Sequence, residues 1–170
     1  MRKHSRVRVP PSPPMTFWKL PPKIKIYEAL GCLADARIEV AHNTAKIFSS
    51  SRGKYYTVTF DPTTNAVMCN DNGSYWQGYL GYPAIAFLLA RGVIPYSASS
   101  ADILKEIKWK NINQQFKNDF TKTENYCHDL VKKRGGDLPT LLADIDSIYS
   151  FLSSHPYSLF GPKTKPPSGY

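Results

Sequence analysis

Apolar positions along this chain change period twice, and the changes divide it into parts. From Pro21 the stretch "PPKIKIYEALGCLADA" sets Ile26 or Tyr27, Leu30 and Leu33 or Ala34 on one side at helical spacing, and its prolines suit a first turn. Near residue 37 the period falls to two. "RIEVA" alternates, "TAKIFSS" and "KYYTVTF" flank the short glycine-bearing turn "SRG", and "DPTT" turns the chain into "NAVMCN". The pattern predicts an antiparallel meander of three to four strands over residues 37–70. Alternation also assigns its faces. Ile38, Val40, Ile47, Val58 and Phe60 form the apolar set that should meet helices, while Lys46, Phe48, Tyr55 and Thr57 form a mixed basic and aromatic face.

Helical spacing returns after the glycine-rich "NDNGSYWQGYLGYP". The segment "PAIAFLLARG" is apolar on nearly all sides, which predicts a short buried helix stopped at Gly92. Residues 99–133 then read as one helix of ~34 residues, about 50 Å long. Ser99 with Asp102 suggests a capping box, and Lys132, Lys133 and Arg134 complement its C-terminal dipole. The apolar set of that helix, from Ile103 and Ile107 to Leu130 and Val131, drifts around its axis. The last helix starts at Asp137 and Pro139 and carries Leu138, Leu141, Ile145, Ile148 and Leu152 at heptad spacing. That seam either folds back on the long helix within the chain or, with the long helix, forms a homodimer interface through Leu141, Ile145, Ile148 and Leu152. The expected fold class is α+β: the meander flanked by helices, then a long helix and the heptad-patterned one. The expected divisions are a disordered basic arm (1–16), an α+β sheet domain (17–95), a helical segment that packs on the sheet or mediates dimerisation (96–155) and a flexible tail (156–170).

Charge sharpens this picture through its placement. The 170 residues carry a formal net charge of +9, yet residues 1–25 hold seven of the 22 bases and no acid. The remainder has fifteen bases against thirteen acids, so the excess sits on the proline-broken arm, which suits a phosphate backbone. The arm lacks the apolar centre of a signal peptide, and its prolines oppose the amphipathic helix of a mitochondrial presequence; the expectation is a cytoplasmic protein. No run approaches the roughly 18 apolar residues of a membrane span. Cys32, Cys69 and Cys127 are scattered and odd in number, as structural thiols in a reducing compartment would be, and no zinc site is expected.

The candidate chemistry lies in flat rings next to cations. Phe48 and Tyr55 share a face with Lys46, and Arg52 and Lys54 stand at the hairpin tip. In the glycine-rich stretch Tyr75, Trp76 and Tyr79 can edge a groove, with Asn72 and Gln77 offering hydrogen bonds to base edges. Such a surface suits single-stranded nucleic acid, because every base has a π-face and stacking contributes roughly 1–3 kcal/mol per base. Arg6 and Arg8 of the arm would add phosphate contacts. No phosphate loop, nucleophile elbow or His-Glu-x-x-His motif is present, so neither catalytic residue nor cofactor is expected. A protein-interaction module built on the C-terminal helices is the first alternative. A nuclease-like cluster of Asp35, Glu39, Asp61 and Asp71 is the second.

Two resemblances accompany these residues. "YYTVTFDPTTNAVMCNDNGSYWQGYLGYPAIAFLLARG" is similar in layout to a SWIM domain, a Tyr-Thr-Val strand, a second strand and an apolar helix after a turn. The zinc ligands of that domain are missing: only Cys69 matches, and Gly81 and Pro83 occupy the places of its Cys-x-His. In overall plan the chain resembles the archaeal ThermoDBP-type single-stranded DNA-binding proteins, with residues 23–92 matching their cleft domain and 98–153 their helical dimerisation element. That resemblance implies DNA as the favoured nucleic acid, a cleft with a basic rim and a dimer.

Overall fold

The computed structural model describes Arg8, Pro10 and residues 15–168. Its fold is α+β, as the periodicities predict. Strands β1 (Ile38–Ala41), β2 (Thr44–Phe48), β3 (Tyr55–Asp61) and β4 (Ala66–Cys69) form the meander, and β5 (Ser158–Leu159) adds parallel to β4. The register preserves the alternation of the sequence. Ile38 faces Ile47, and Ala45 faces Val58; on the other side Lys46 faces Thr57, and Phe48 faces Tyr55. Ile47, Val58 and Phe60 are buried, whereas Lys46, Tyr55 and Thr57 are exposed. Val40 departs from its expected set and is 42% exposed, since β1 is the outer strand of the sheet.

Helix α1 (Ile24–Ala34) is the centre of the molecule. It contacts α2 (Tyr82–Ala90) on its sheet side and the C-terminal helices on the other, so Ile24, Ile26, Tyr27, Ala29, Leu30 and Cys32 are all buried. A helix covered on both sides needs apolar groups all round rather than on one stripe. Helix α2 is likewise buried from Pro83 to Leu89, and Gly92, at a φ of 72°, ends it as expected.

The single helix expected over residues 99–133 is instead three: α3 (Ala98–Asp102), α4 (Trp109–Gln115) and α5 (Phe120–Lys133). Glu106, Lys117 and Asn118 adopt positive φ at the breaks. The drifting apolar set explains the difference. Leu104, Ile107, Trp109, Ile112, Cys127 and Val131 all reach the core, which a straight rod could not achieve, so the chain bends twice around α1. The first break is pinned by the Glu106 amide donating to Asp35 Oδ1 at 2.7 Å. Ser99 does not cap: α3 starts after Ser97, whose amide donates to Asp144 Oδ2 at 3.0 Å. Asp119 and Asp137 cap α5 and α6 (Leu138–Ser154).

The heptad seam takes the intrachain alternative. Leu141, Ile145, Ile148 and Leu152 are buried in the same core as α1, so they are not available to a second chain. The chain past α6 also differs from the flexible tail expected of it. Tyr157 and Ser158 are buried, and β5 lies between β4 and residues 16–18: the Leu159 amide donates to Thr16 O at 2.9 Å and the Trp18 amide to Tyr157 O at 3.0 Å. Trp18 Nε1 reaches over to Val67 O at 2.8 Å. These backbone pairs satisfy an edge that would otherwise expose unpaired amides. Among the described residues no helix is long and apolar enough to cross a membrane.

The three thiols are free and buried. Burial pushes the Cys32 thiol up to about 11 and the Cys127 thiol up to about 12. Raised folded-state values favour the neutral thiols, so this stabilisation is present below the unfolded value of 9.0 and is lost as pH rises through the folded ones. The urea midpoint should therefore fall between pH about 8 and about 10.5, and fall less steeply in a Cys32→Ala/Cys127→Ala double variant. A second expectation concerns helix packing. A Cβ on Gly31 would sit 2.8 Å from Trp109 Nε1 and 3.2 Å from Leu104 O. Gly31→Ala should lower stability by about 1–3 kcal/mol in urea titrations, although alanine is favoured in helices by roughly 1 kcal/mol.

Candidate functional site

The side chains singled out from the sequence fall into separate places. Lys46, Phe48 and Tyr55 meet on the open face of the sheet. The Lys46 ammonium lies 5.2 Å from the centroid of the Tyr55 ring, and the Phe48 ring stands 6.1 Å from it at a tilt of 55°. Tyr55 is 47% exposed. Arg52 and Lys54, expected at the hairpin tip as phosphate ligands, both turn away from this face. Arg52 takes the left-handed turn position, with a φ of 58°, and its Nη2 donates to Asp35 O at 3.0 Å. Lys54 lies 5.5 Å from the centroid of Tyr56, a ring on the core side.

The glycine-rich stretch is organised by Asp71. Its carboxylate accepts from Cys69 Sγ at 2.9 Å and from the Ser74 amide at 3.2 Å, and also from Ser74 Oγ, which in turn accepts from the Gly81 amide at 3.1 Å. Around this buried knot the chain makes one π-helical turn, Gly73–Gln77, closed by Gly78 at a φ of 75°. The glycines are dictated by close approach. A Cβ at Gly81 would collide with the Asp71 carboxylate, and one at Gly73 would lie 2.6 Å from the Tyr79 hydroxyl. Tyr79 is therefore folded over the turn, half-buried, and its pKa is raised by that burial. Tyr82 packs edge-on against Tyr56, with centroids 6.2 Å apart. Tyr75 and Trp76 form a T-shaped pair at 4.7 Å, and Trp76 is 66% exposed. Arg8 is exposed, and Arg6 lies outside the described residues.

A cavity of about 400 Å³ was not foreseen in the sequence. It opens between α1, the β2–β3 turn, the Asp71–Gly73 turn and α4. Its lining holds four cations, Lys25, Arg37, Lys54 and Lys110, against two carboxylates, Glu28 and Asp71. Lys25 and Glu28 neutralise each other at 3.0 Å, and Asn113 Nδ2 donates to the same Glu28 oxygen at 2.8 Å. Burial opposes the charge of Lys25, but Glu28, Tyr79 and Asp71 outweigh it and hold the pKa above the usual lysine value. Arg37, at 2% exposure, donates from Nη1 to Phe48 O at 2.7 Å and from Nε to Asp35 Oδ2 at 3.3 Å; its Nη2 has no partner among the described residues. The Lys110 amide donates to Ser50 Oγ at 3.1 Å, which ties α4 to the turn before β3. The signal for this wall was the spacing of Trp109 and Asn113, one turn apart on a helix with a tryptophan inward and an amide beside it.

The carboxylates weighed as a nuclease cluster serve separate local tasks. Asp61 holds the Thr63–Thr64 turn, Asp71 its own knot, and Asp35 the Glu106 amide and Arg37. Among the described residues no three His, Cys, Asp or Glu side chains converge to hold a metal ion.

The Asp71 knot gives a testable consequence. An amide there would present two hydrogens to a site filled with donors, so Asp71→Asn should cost about 1–3 kcal/mol in urea or thermal unfolding. A variant as stable as the parent would show that Asp71 is not the organising acceptor.

Neither a curated protein nor a solved structure matches this chain. The family model described as "Uncharacterised conserved protein UCP014422" matches residues 18–158, from the tryptophan that spans the sheet edge to the buried serine of β5. With most of its length inside that match, including every residue lining the cavity, the chain belongs to this uncharacterised family.

Proposed function

We propose that this protein is a non-enzymatic, cytoplasmic binder of single-stranded nucleic acid, DNA by preference, which it holds across the open face of its sheet. The observation that carries the reading is the solvent-facing group of Lys46, Tyr55 and Phe48: an ammonium over one ring with a second ring beside it. Bases of an unpaired strand can stack on such rings while the ammonium meets a phosphate. Glu39, directly across from Lys46 on β1, repels phosphate and limits the platform on that side. Thr57 and Thr59 continue the face along β3 with small polar groups that do not obstruct a strand. Trp76, 66% exposed, offers a further ring to an unpaired strand.

The interaction-module alternative cannot use the four seam residues, which lie inside the chain, and would need the outer faces of the C-terminal helices. The DNA preference rests on the resemblance to ThermoDBP-type proteins alone, and a homodimer would need a surface other than the seam.

Fluorescence anisotropy with labelled single- and double-stranded oligonucleotides at two salt levels tests the proposal. Single strands should bind more tightly than duplex. Tyr55→Ala should weaken binding by roughly 5- to 150-fold at both salt levels, the equivalent of one stacked base. Lys46→Gln should instead reduce the salt slope by about one. Trp76→Ala reports how far the strand runs: an unchanged affinity confines contact to the sheet. No binding of either oligonucleotide by the folded protein overturns the reading.

A further inference from the structure

We propose that the cavity beside α1 is a binding site for the phosphoryl group of a nucleotide, with Arg37 as its central ligand. The inference goes beyond the sheet surface and stands or falls independently of it.

Arg37 is the reason. A guanidinium at 2% exposure is costly to bury unless it is both paired and fully hydrogen-bonded. Here one nitrogen is well satisfied by a carbonyl, one shares a carboxylate at 3.3 Å, and Nη2 has no partner among the described residues. The carboxylate concerned, Asp35, meets only Nε of Arg37, and its other oxygen accepts the Glu106 amide, so Nη2 is left unmatched. Glu28 in the same cavity offers the contrast: buried to 3% exposure, it has both an ammonium and an amide upon it. The fold completes its buried charges elsewhere and leaves this one incomplete in a residue that borders an open volume, its Nη2 itself closed to solvent. Such a group is matched by a ligand that brings acceptors.

The lining identifies the class. Lys54 and Lys110 border the same cavity as Arg37, leaving cations in excess of carboxylates. A carboxylate presents two oxygens in one plane and suits a single arginine. A phosphoryl group presents oxygens in several directions and suits cations arranged around it. At about 400 Å³ the cavity also has room for more than the anion itself. Asn72, Gln114 and Asn118 are exposed members of its lining and supply amides at the mouth, the groups that pair with base edges. A phosphate inside and a base at the mouth describe a nucleotide, either free or at the end of a strand.

The test uses the full chain and calorimetric titration with AMP, adenosine, inorganic phosphate, and one short single-stranded oligonucleotide in 5′-phosphorylated, 3′-phosphorylated and unphosphorylated forms. AMP binding in preference to adenosine, weakened roughly tenfold or more in Arg37→Met and in Lys54→Met, supports a free nucleotide as ligand. Preference for one phosphorylated oligonucleotide, with AMP silent and the same variants impaired, supports a strand end. Phosphate-independent oligonucleotide binding overturns this inference and leaves the sheet reading intact. Absence of binding by every phosphorylated ligand, or phosphate-dependent binding unaffected by the substitutions, also overturns it. Should Arg37→Met fail to fold, Lys54→Met decides alone, because Lys54 borders the cavity from the start of the hairpin strand.

Discussion

One buried guanidinium ties together the parts of this fold that would otherwise be independent. The Arg37 amide donates to Cys32 O at 3.0 Å at the end of α1, and its carbonyl accepts from Phe48 at 2.7 Å to begin the β1–β2 ladder. Its side chain reaches the Phe48 carbonyl and the Asp35 carboxylate. A single residue thus fixes how the central helix meets the sheet and where the hairpin starts. The cost is a charge inside the protein. Replacing a buried ion pair by apolar groups of similar volume is often neutral or stabilising by about 1–4 kcal/mol, so its presence is weak support for stability. What the guanidinium does provide is a polar boundary, which keeps the neighbouring space from being filled with hydrocarbon.

The walls of that space follow from two further polar knots. Glu28 draws Lys25 and Asn113 together and so joins α1 to α4. Asp71 gathers Cys69, Ser74 and, through Ser74, the Gly81 amide, turning the glycine-rich stretch back on itself. Both acceptors are surrounded by donors; Glu28 joins two helices, and Asp71 fixes a segment with little regular hydrogen bonding of its own. The glycines at 73 and 81 then appear as steric necessities beside Tyr79 and Asp71 rather than as hinges. The rings of the stretch divide accordingly: Tyr79 and Tyr82 pack inward, Trp76 is exposed, and half-buried Tyr75 packs edge-on against it.

Local periodicity was readable wherever one face of an element meets one environment. The meander, its register and the solvent-facing set of Lys46, Phe48, Tyr55 and Thr57 all follow from alternation, because a pleated strand places successive side chains on opposite faces. The buried α2 and the seam of α6 were visible for the same reason. The long helix was misread because local helical preference runs through Glu106 and Lys117, whereas the break answers to Leu104, Ile107 and Trp109 needing the same core. The drift of the apolar positions around the helix axis was the one local trace of that demand. The role of residues 157–159 was hidden too: two residues of strand have no period, and their pairing depends on β4 and on Thr16, which are remote in sequence. The cavity is assembled from segments between Lys25 and Asn118, and only the Trp109–Asn113 spacing gave a local hint of it.

The open sheet face and the cavity are two sides of one hairpin. Tyr55 and Tyr56 are consecutive residues of β3, so the pleat sends the first toward solvent and the second toward the cavity. Lys54 precedes both, lies 5.5 Å from the Tyr56 ring and borders the cavity, one residue away from the open-face pair. A strand that stacked on Tyr55 and placed its terminal phosphate near Arg37 would have to round the sheet at that lysine. The two surfaces are therefore separable at Tyr55, which serves only the open face, and at Arg37 and Lys54, which serve only the cavity. If one polynucleotide used both, loss of the Tyr55 ring would lower the affinity of phosphorylated and unphosphorylated strands alike, while loss of the Arg37 charge would remove only the difference between them.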